Sequence, residues 1–470
     1  MSFSPHESGT GARGRVHVPS LPRLTRKKAR THGVPDQVAV RSTLLLCCVY
    51  NSGWKDSRCT FIGNAGVAMS RILEERGHEV EESRQGAATR RRDVLRGGMA
   101  LGGLAATAGM PFWSKLALAQ GEEIVTFTDV PETFAAPPVV PGGILFQDTR
   151  FIDSFYTPVG EFYIVQHYNQ PEIAVEDYRL RISGMVDRPM EFTLAELQAR
   201  PRVEIDAGFE CGGNRAEIFH GLIGNARWGG ISLRELLLDA GIQDPGLEVV
   251  FYGADAGTES IRDQRVEQNF GRSMHRDDAL RPEMMLAWEM NGEPLNLYHG
   301  APVRLIVPGW YGICNVKWLT QIHVQDRRYM GRFMARDYVT LSRRDIGGVE
   351  RWEERSVTRM RLKSSIVRVT RNADGHEIMG FVLNDGTPLR SVEIRVDDGP
   401  WQPAVIDPES TQYSWKLFRY AWTDAEPGEY TIVSRVTDVN GQVQATADQM
   451  PEKPTRWENY AQFPRTVMIG

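Results

Sequence analysis

The sequence is poor in cysteine and has no long apolar run. It holds 5 cysteines in 470 residues, too few for a disulfide-dense scaffold of this length. No uninterrupted apolar stretch reaches the ~18 residues that a membrane-spanning helix needs. No Cys-x-x-Cys-His occurs, so the chain attaches no c-type haem of its own. Walker loops and serine-hydrolase elbows are missing as well. Positive charge is not in excess: the net charge is -5, which makes nucleic acid a poor partner. What is present, 41% apolar and 24% charged residues, is the balance of a globular protein.

The charge is unevenly placed. Residues 1–119 hold 18 of the 55 basic and 9 of the 60 acidic residues, which leaves 37 basic against 51 acidic residues beyond them. A basic front before an acidic body reads as a targeting segment before a mature protein. Arg90-Arg91-Arg92-Asp93 forms a twin-arginine pattern, and a Gly/Ala-rich run, Gly97 to Met110, follows it. Lys115 then precedes Ala117-Leu118-Ala119, a small-x-small cleavage site. Periplasmic export is therefore expected, with cleavage after Ala119 and a mature start at Gln120. Met69 lies where such a signal begins, so 69–119 is read as the signal and 1–68 as a non-native extension or a disordered segment. Cys47, Cys48 and Cys59 would then never leave the cytoplasm, and the mature chain keeps Cys211 and Cys314.

Beyond the signal, residues 120–155 are rich in Pro, Gly and Phe without periodicity and suggest an extended arm. From 156 to 345 short strands and short helices mix. Residues 178–184 alternate like a strand, and Thr193 and Ser232 each stand three residues before a Glu, the spacing of a capping box. Residues 247–252 and 303–307 read as buried strands. In 355–460 the pattern changes. Segments 363–371, 377–383, 390–397 and 429–437 alternate with period two between turn signals such as Asn384-Asp385-Gly386 and Asn440-Gly441. An α+β body followed by an immunoglobulin-like β-sandwich is expected.

Cys211 ends an apolar stretch and precedes two glycines. A thiolate there could be a nucleophile or a soft-metal ligand; a lone thiol is as readily a small core hydrophobe. His299, Arg304 and Lys317 surround glycines, an arrangement that suits a phosphate-bearing ligand or a solvated strand edge.

Together the motifs say more. Glu210-Cys211-Gly-Gly-Asn214-Arg215, Leu286-Ala-Trp-Glu-Met-Asn-Gly-Glu-Pro-Leu295, His299-Gly-Ala-Pro-Val-Arg304-Leu-Ile-Val-Pro-Gly309 and Val316-Lys317-Trp318 resemble the sulfite oxidase family of molybdenum enzymes. The resemblance runs in order from about Phe162 to Tyr329. It implies one molybdenum per chain, held by molybdopterin, with Cys211 as the thiolate ligand of the metal. It implies further that His167, Asp255, His299, Arg304, Asn315 and Lys317 bind the pterin or its phosphate, and that Tyr329 is the active-site tyrosine. By the same resemblance the sandwich dimerises the protein, sulfite is oxidised to sulfate, and electrons pass to an external cytochrome c.

Val165 and Ala216 stand where the family carries arginines that clamp the sulfite dianion, and Phe219-His220 stand where some members carry a tryptophan. Arg332, Arg336, His220 and His275 are candidates to replace the missing charge. The departures keep open another sulfur compound, a small sulfoxide or an N-oxide as substrate. A cofactor-free binding protein on the same fold is a further alternative.

Overall fold

The computed structural model describes residues 116–119, 121–130 and 144–470. The twin-arginine segment, Met69, the 1–68 extension and Gln120 lie outside the described residues, as does the 131–143 part of the arm.

Sheets dominate, and the longest described helix, Leu233–Ala240, has 8 residues. Two sheets build the body. One is mixed, in the order Met190–Phe192, Leu180–Gly184, Leu319–Gln325, Glu248–Ile261 and Gln264–His275. Its single parallel pairing sets Ile322 beside Ile182. The other is antiparallel: Arg304–Ile306, Met285–Met290, Ile223–Ser232 and Val203–Glu210. Two short helices accompany them, each started by a side-chain cap. Thr193 accepts from the Glu196 backbone N–H while the Glu196 carboxylate accepts from the Thr193 N–H, closing a capping box. Ser232 accepts from the Glu235 N–H to cap Leu233–Ala240, without the reciprocal bond of a capping box, and Gly241 at φ 70° stops the helix in the left-handed region.

A two-stranded ribbon, Val339–Asp345 with Glu350–Ser356, leads into the C-terminal region and crosses the expected boundary at 345–355. There a five-stranded sheet (Glu123–Val125, Lys363–Asn372, Gly375–Leu383, Lys416–Trp422, Val405–Ile406) faces a four-stranded one (Gln402–Pro403, Leu389–Val396, Gly428–Asp438, Arg465–Ile469). Val369, Ile378, Phe418 and Trp422 from the first meet Val392, Ile394, Ile432 and Val436 from the second in one buried cluster. Part of the arm belongs here, since Glu123–Val125 adds an edge strand beside Lys363–Asn372.

The five-stranded sheet is buried on both sides. In Gly375–Leu383, Ile378 and Val382 enter the sandwich core, while Met379, Phe381 and Leu383 join the core of the body. Successive strand residues point to opposite faces, so one strand serves two cores. No described helix is long and apolar enough to cross a membrane.

Candidate molybdopterin site

The strand Val203–Glu210 delivers Cys211 to the end of the antiparallel sheet. The Cys211 N–H donates to the Leu222 carbonyl (2.9 Å) and the Asn214 N–H donates back to the Cys211 carbonyl (2.9 Å), which folds the loop tightly. The thiol borders a cavity that Phe162, Tyr163, Phe209 and Trp318 also line. His167, Asp255, His299, Arg304, Asn315 and Lys317 all line it, as does Val165. Seven of the eight residues implied by the resemblance are thus brought together from segments as far apart as 167 and 317.

Tyr329 is not among them. Its ring packs edge-on against Tyr252 at 5.7 Å, in a separate polar cleft with Gln268, Asn269 and Gln321. Its backbone N–H is held by the Glu248 carboxylate (2.6 Å). The chain then makes the helical turn Arg332–Ala335 and returns, so that Tyr338 enters the cavity instead. Tyr338 takes φ 54°, a left-handed conformation that a bulky residue adopts only when its surroundings enforce it. Trp457 stacks on its ring at 4.2 Å. Its hydroxyl lies 2.8 Å from His167 Nε2 and also hydrogen-bonds the Cys211 thiol.

Burial dominates the electrostatics. It pushes the Cys211 thiol up to about 11, against the thiolate-favouring bonds from the Gly213 N–H and Tyr338. Burial holds His167 near 3 and His299 near 4, so both imidazoles are neutral at physiological pH. Asp255 is raised to about 7 by burial, and Lys317 is lowered to about 7 by burial and then by Arg304. His299 Nε2 pairs with the Val159 carbonyl (2.9 Å), and Arg304 spans the carbonyls of His299 (3.1 Å) and Asn315 (3.3 Å). Asn315, at the cavity wall, spends its side chain on the backbone, donating to the Tyr311 carbonyl and accepting from the Val307 N–H at 2.7 Å.

The unpaired atoms show what the cavity is shaped for. Asp255 Oδ1, Arg304 Nε and Trp318 Nε1 are buried without hydrogen-bond partners among the described residues, and all three residues line the cavity. Burying such groups unpaired is costly. Arg304 and Lys317 also have no carboxylate within salt-bridge distance among the described residues; Lys317 leans on the Val165 and Tyr298 carbonyls. Two cations, a carboxyl and an indole N–H facing one cavity beside a thiol fit a polar, anionic, sulfur-bearing group. A pterin dithiolene with a phosphate tail is such a group.

The residues considered as charge replacements lie elsewhere. Arg332 pairs with Glu259 and, at 3.6 Å, with Asp337. Arg336 donates to Gln268, His275 caps a short helix on the surface, and His220 is buried behind the loop. Ala216 and Phe219 border a different hollow, and the exposed Arg215 pairs with Glu217 at 3.4 Å. Positive charge reaches the site first from Lys317 and then from Arg332, which does not line the cavity, and also from a residue that the sequence did not single out. Arg456, folded over the Trp457 ring at 4.6 Å, lowers both the Cys211 thiol and His167 by its field.

The comparisons agree with this geometry. The oxidoreductase molybdopterin binding domain matches residues 167–333. The mitochondrial sulfite oxidase of Drosophila melanogaster is 33% identical over 305 residues, covering 58% of this chain and 51% of that protein. The sulfite oxidase of Gallus gallus is 30% identical over 325 residues, covering 62% of this chain and 68% of that protein. The sulfane dehydrogenase SoxCD from Paracoccus pantotrophus superposes with a TM-score of 0.60 at 25% identity, covering 79% of this chain and 97% of that one. Fold and site together define a molybdopterin-dependent oxidoreductase. Within that class the chain belongs to the sulfite oxidase family, and it spans about half to two thirds of the length of the two sulfite oxidases.

Proposed function

We propose that this protein oxidises sulfite to sulfate at a molybdenum held by molybdopterin, one per chain, and passes the two electrons to an external cytochrome c. The observation that carries the reading is the convergence of the Cys211 thiol with the unpaired Asp255 Oδ1, Arg304 Nε and Trp318 Nε1 on one cavity. When bound, the cofactor supplies oxygen-atom transfer to a sulfur lone pair and storage of two electrons.

The chain's own residues bind, orient and move protons. Cys211 would hold the metal as its thiolate ligand, a form that burial alone disfavours and a bound cation would favour. Arg304 and Lys317 hold the phosphate, and the Asp255 carboxyl and Trp318 indole fix the ring system. Asn315 acts indirectly, by holding the 304–317 loop. Tyr338 is the proton-handling group nearest the thiol, and neutral His167 is its partner. Lys317, Arg332 and Arg456 together supply the positive field that draws an anion to the pocket.

One observation favours a second substrate. Val165 presents an apolar side chain to the cavity, and Arg215 and Ala216 face away from it, so the anion clamp is thinner than two further arginines would make it. A less charged sulfane compound suits such a wall, and the structural neighbour is named for sulfane. Steady-state assay of molybdenum-loaded protein with cytochrome c decides between them. Turnover with sulfite supports the first reading. Turnover with a persulfide but not with sulfite replaces it with the second.

Export and assembly complete the proposal. The twin-arginine segment directs the folded, loaded protein to the periplasm with Gln120 at its start, and the sandwich, taken as immunoglobulin-like, pairs two copies.

A further inference from the structure

Behind Cys211 lies a group of buried polar residues that the reaction itself does not use. Cys211 and Glu210 are consecutive at the end of a strand, so their side chains leave on opposite faces. The Glu210 carboxylate is 2% exposed and meets the Lys363 ammonium, itself 1% exposed. Lys363 is the first residue of the sandwich strand Lys363–Asn372. Its ammonium also lies 3.2 Å from His220 Nδ1. Asn214 donates to Glu210 (3.1 Å) and to the His220 carbonyl (2.8 Å), and accepts from the Leu222 N–H (3.1 Å). The C-terminal segment adds two more ties. Asn459 donates to the Asn214 carbonyl (2.9 Å), and the Glu458 N–H donates to the Gly212 carbonyl (2.7 Å).

Every residue from 210 to 214 is therefore covered from behind. The loop also carries strain: Phe219 and His220 both take positive φ, at 51° and 52°. A charge pair this deep is an expensive way to hold a loop, because two ions must leave water and apolar residues of the same volume would pack there without that cost. The field of Glu210 reaches the Cys211 thiol and the Tyr163 phenol, both on the cavity wall, and the buried Tyr311 phenol. Arg465 is the other cation felt at His220.

We propose that Glu210 and Lys363 are a positioning pair for Cys211: the sandwich supplies a buried cation that fixes the ligand loop and neutralises a carboxylate which would otherwise bias the metal centre. The inference rests on the reading of Cys211 as the metal's thiolate ligand. Lys363 and Glu210 touch neither substrate nor cofactor, and act through the loop and through charge.

The test is the sign of two shifts. In Lys363→Met the uncompensated carboxylate favours the oxidised metal, so the midpoint potential of the molybdenum centre moves down. In Glu210→Gln the uncompensated ammonium moves it up. The double variant returns close to wild type, as does Lys363→Arg. A purely structural role would move both single variants in the same direction, and that result overturns the proposal. The melting temperature of metal-free protein, run as a double-mutant cycle, gives a readout independent of the cofactor. Each single change should lower it by several degrees, and the double change by less than their sum; additive losses overturn the pair. A wild type that takes up no molybdenum overturns the proposed function and the potential-setting role with it, while the melting cycle still decides whether the pair exists.

Discussion

The proposed chemistry turns on Cys211, and Cys314 is its internal control. Cys211→Ser should remove turnover and molybdenum together while the protein still folds, because an alkoxide is a poor match for a soft metal site. Cys314 is buried elsewhere, with Arg272 Nη2 at 3.2 Å from its sulfur and the Val357 carbonyl at 3.6 Å. A serine hydroxyl can accept from that guanidinium and donate to that carbonyl. Cys314→Ser should keep activity and cost about 1 kcal/mol or less by urea titration. Full turnover in Cys211→Ser would overturn the ligand assignment. The two tyrosines divide in the same way. Tyr338→Phe loses a bond to a neutral histidine and one to the metal's ligand, and should lower kcat by about ten- to a hundredfold, or 1.5–3 kcal/mol. Tyr329→Phe, in a separate cleft, should leave kcat near wild type; the reverse result would restore Tyr329 to the site.

Titration adds a third expectation at this scale. His299 is 2% exposed and its acid dissociation is lowered from 6.5 to about 4 by burial. The unfolded chain therefore binds a proton that the folded one refuses, and stability falls as pH drops through 6.5 towards 4. The loss from this one group is about 3 kcal/mol at most. His167 and His220, also lowered, act in the same sense; Asp255, raised to about 7, acts in the opposite one because its contribution is lost as pH rises. In metal-free protein, His299→Gln should lose less stability than wild type between pH 7 and 4.5 by urea titration. Equal losses would show that His299 is not held neutral by its site.

At the scale of elements, how much could be read from the chain depended on where each signal sits. His167, Asp255, Arg304 and Lys317 stand in or beside short motifs, and the strands that carry Asp255 and Arg304 contain apolar runs, so these were legible. Tyr338 was not, because the choice between two tyrosines nine residues apart depends on whether the chain turns at Arg332–Ala335. Arg456 and Trp457 come from the far end of the chain, where no local pattern marks a site. The strand Lys416–Trp422 escaped detection because its first three residues are all buried, which erases the alternation expected of a half-exposed strand. Gly312 illustrates how tightly an element can be fitted to the cavity. It opens the turn Gly312–Cys314, and a Cβ placed on it would stand 1.9 Å from the Tyr163 hydroxyl. Gly312→Ala should cost about 1–3 kcal/mol in stability as Tyr163 or the turn shifts. Because both line the cavity, pterin content should fall further than stability alone requires. Normal pterin content in a destabilised variant would separate the turn from the site.

For the whole molecule, the sequence suggests a body and a sandwich that can be cut apart near residue 351, leaving a monomeric body. The packing argues otherwise. Met379, Phe381, Leu383, Trp415 and Leu417 of the C-terminal region are buried in the same cluster as Trp310, Tyr311 and Val316 of the body. Removing them exposes the other half of that core, and large buried side chains cost about 2–5 kcal/mol each when their partners are lost. That exceeds the 5–15 kcal/mol by which a whole protein is stable once a few such residues are counted. The site loses components as well: Lys363 behind Cys211, Trp457 on Tyr338, and Arg456 at the pocket. A chain ending near Arg351 should therefore melt without a cooperative transition and retain no pterin, where the full-length protein melts sharply with the cofactor bound. Calorimetry with pterin analysis measures both. A truncated body that unfolds cooperatively near the wild-type temperature, still loaded, would show that the sandwich is an independent attachment. Failure of the cut chain to fold would instead mean that the family's second domain is here a structural half of the first, and that its role in pairing two copies has to be tested by light scattering on the intact protein.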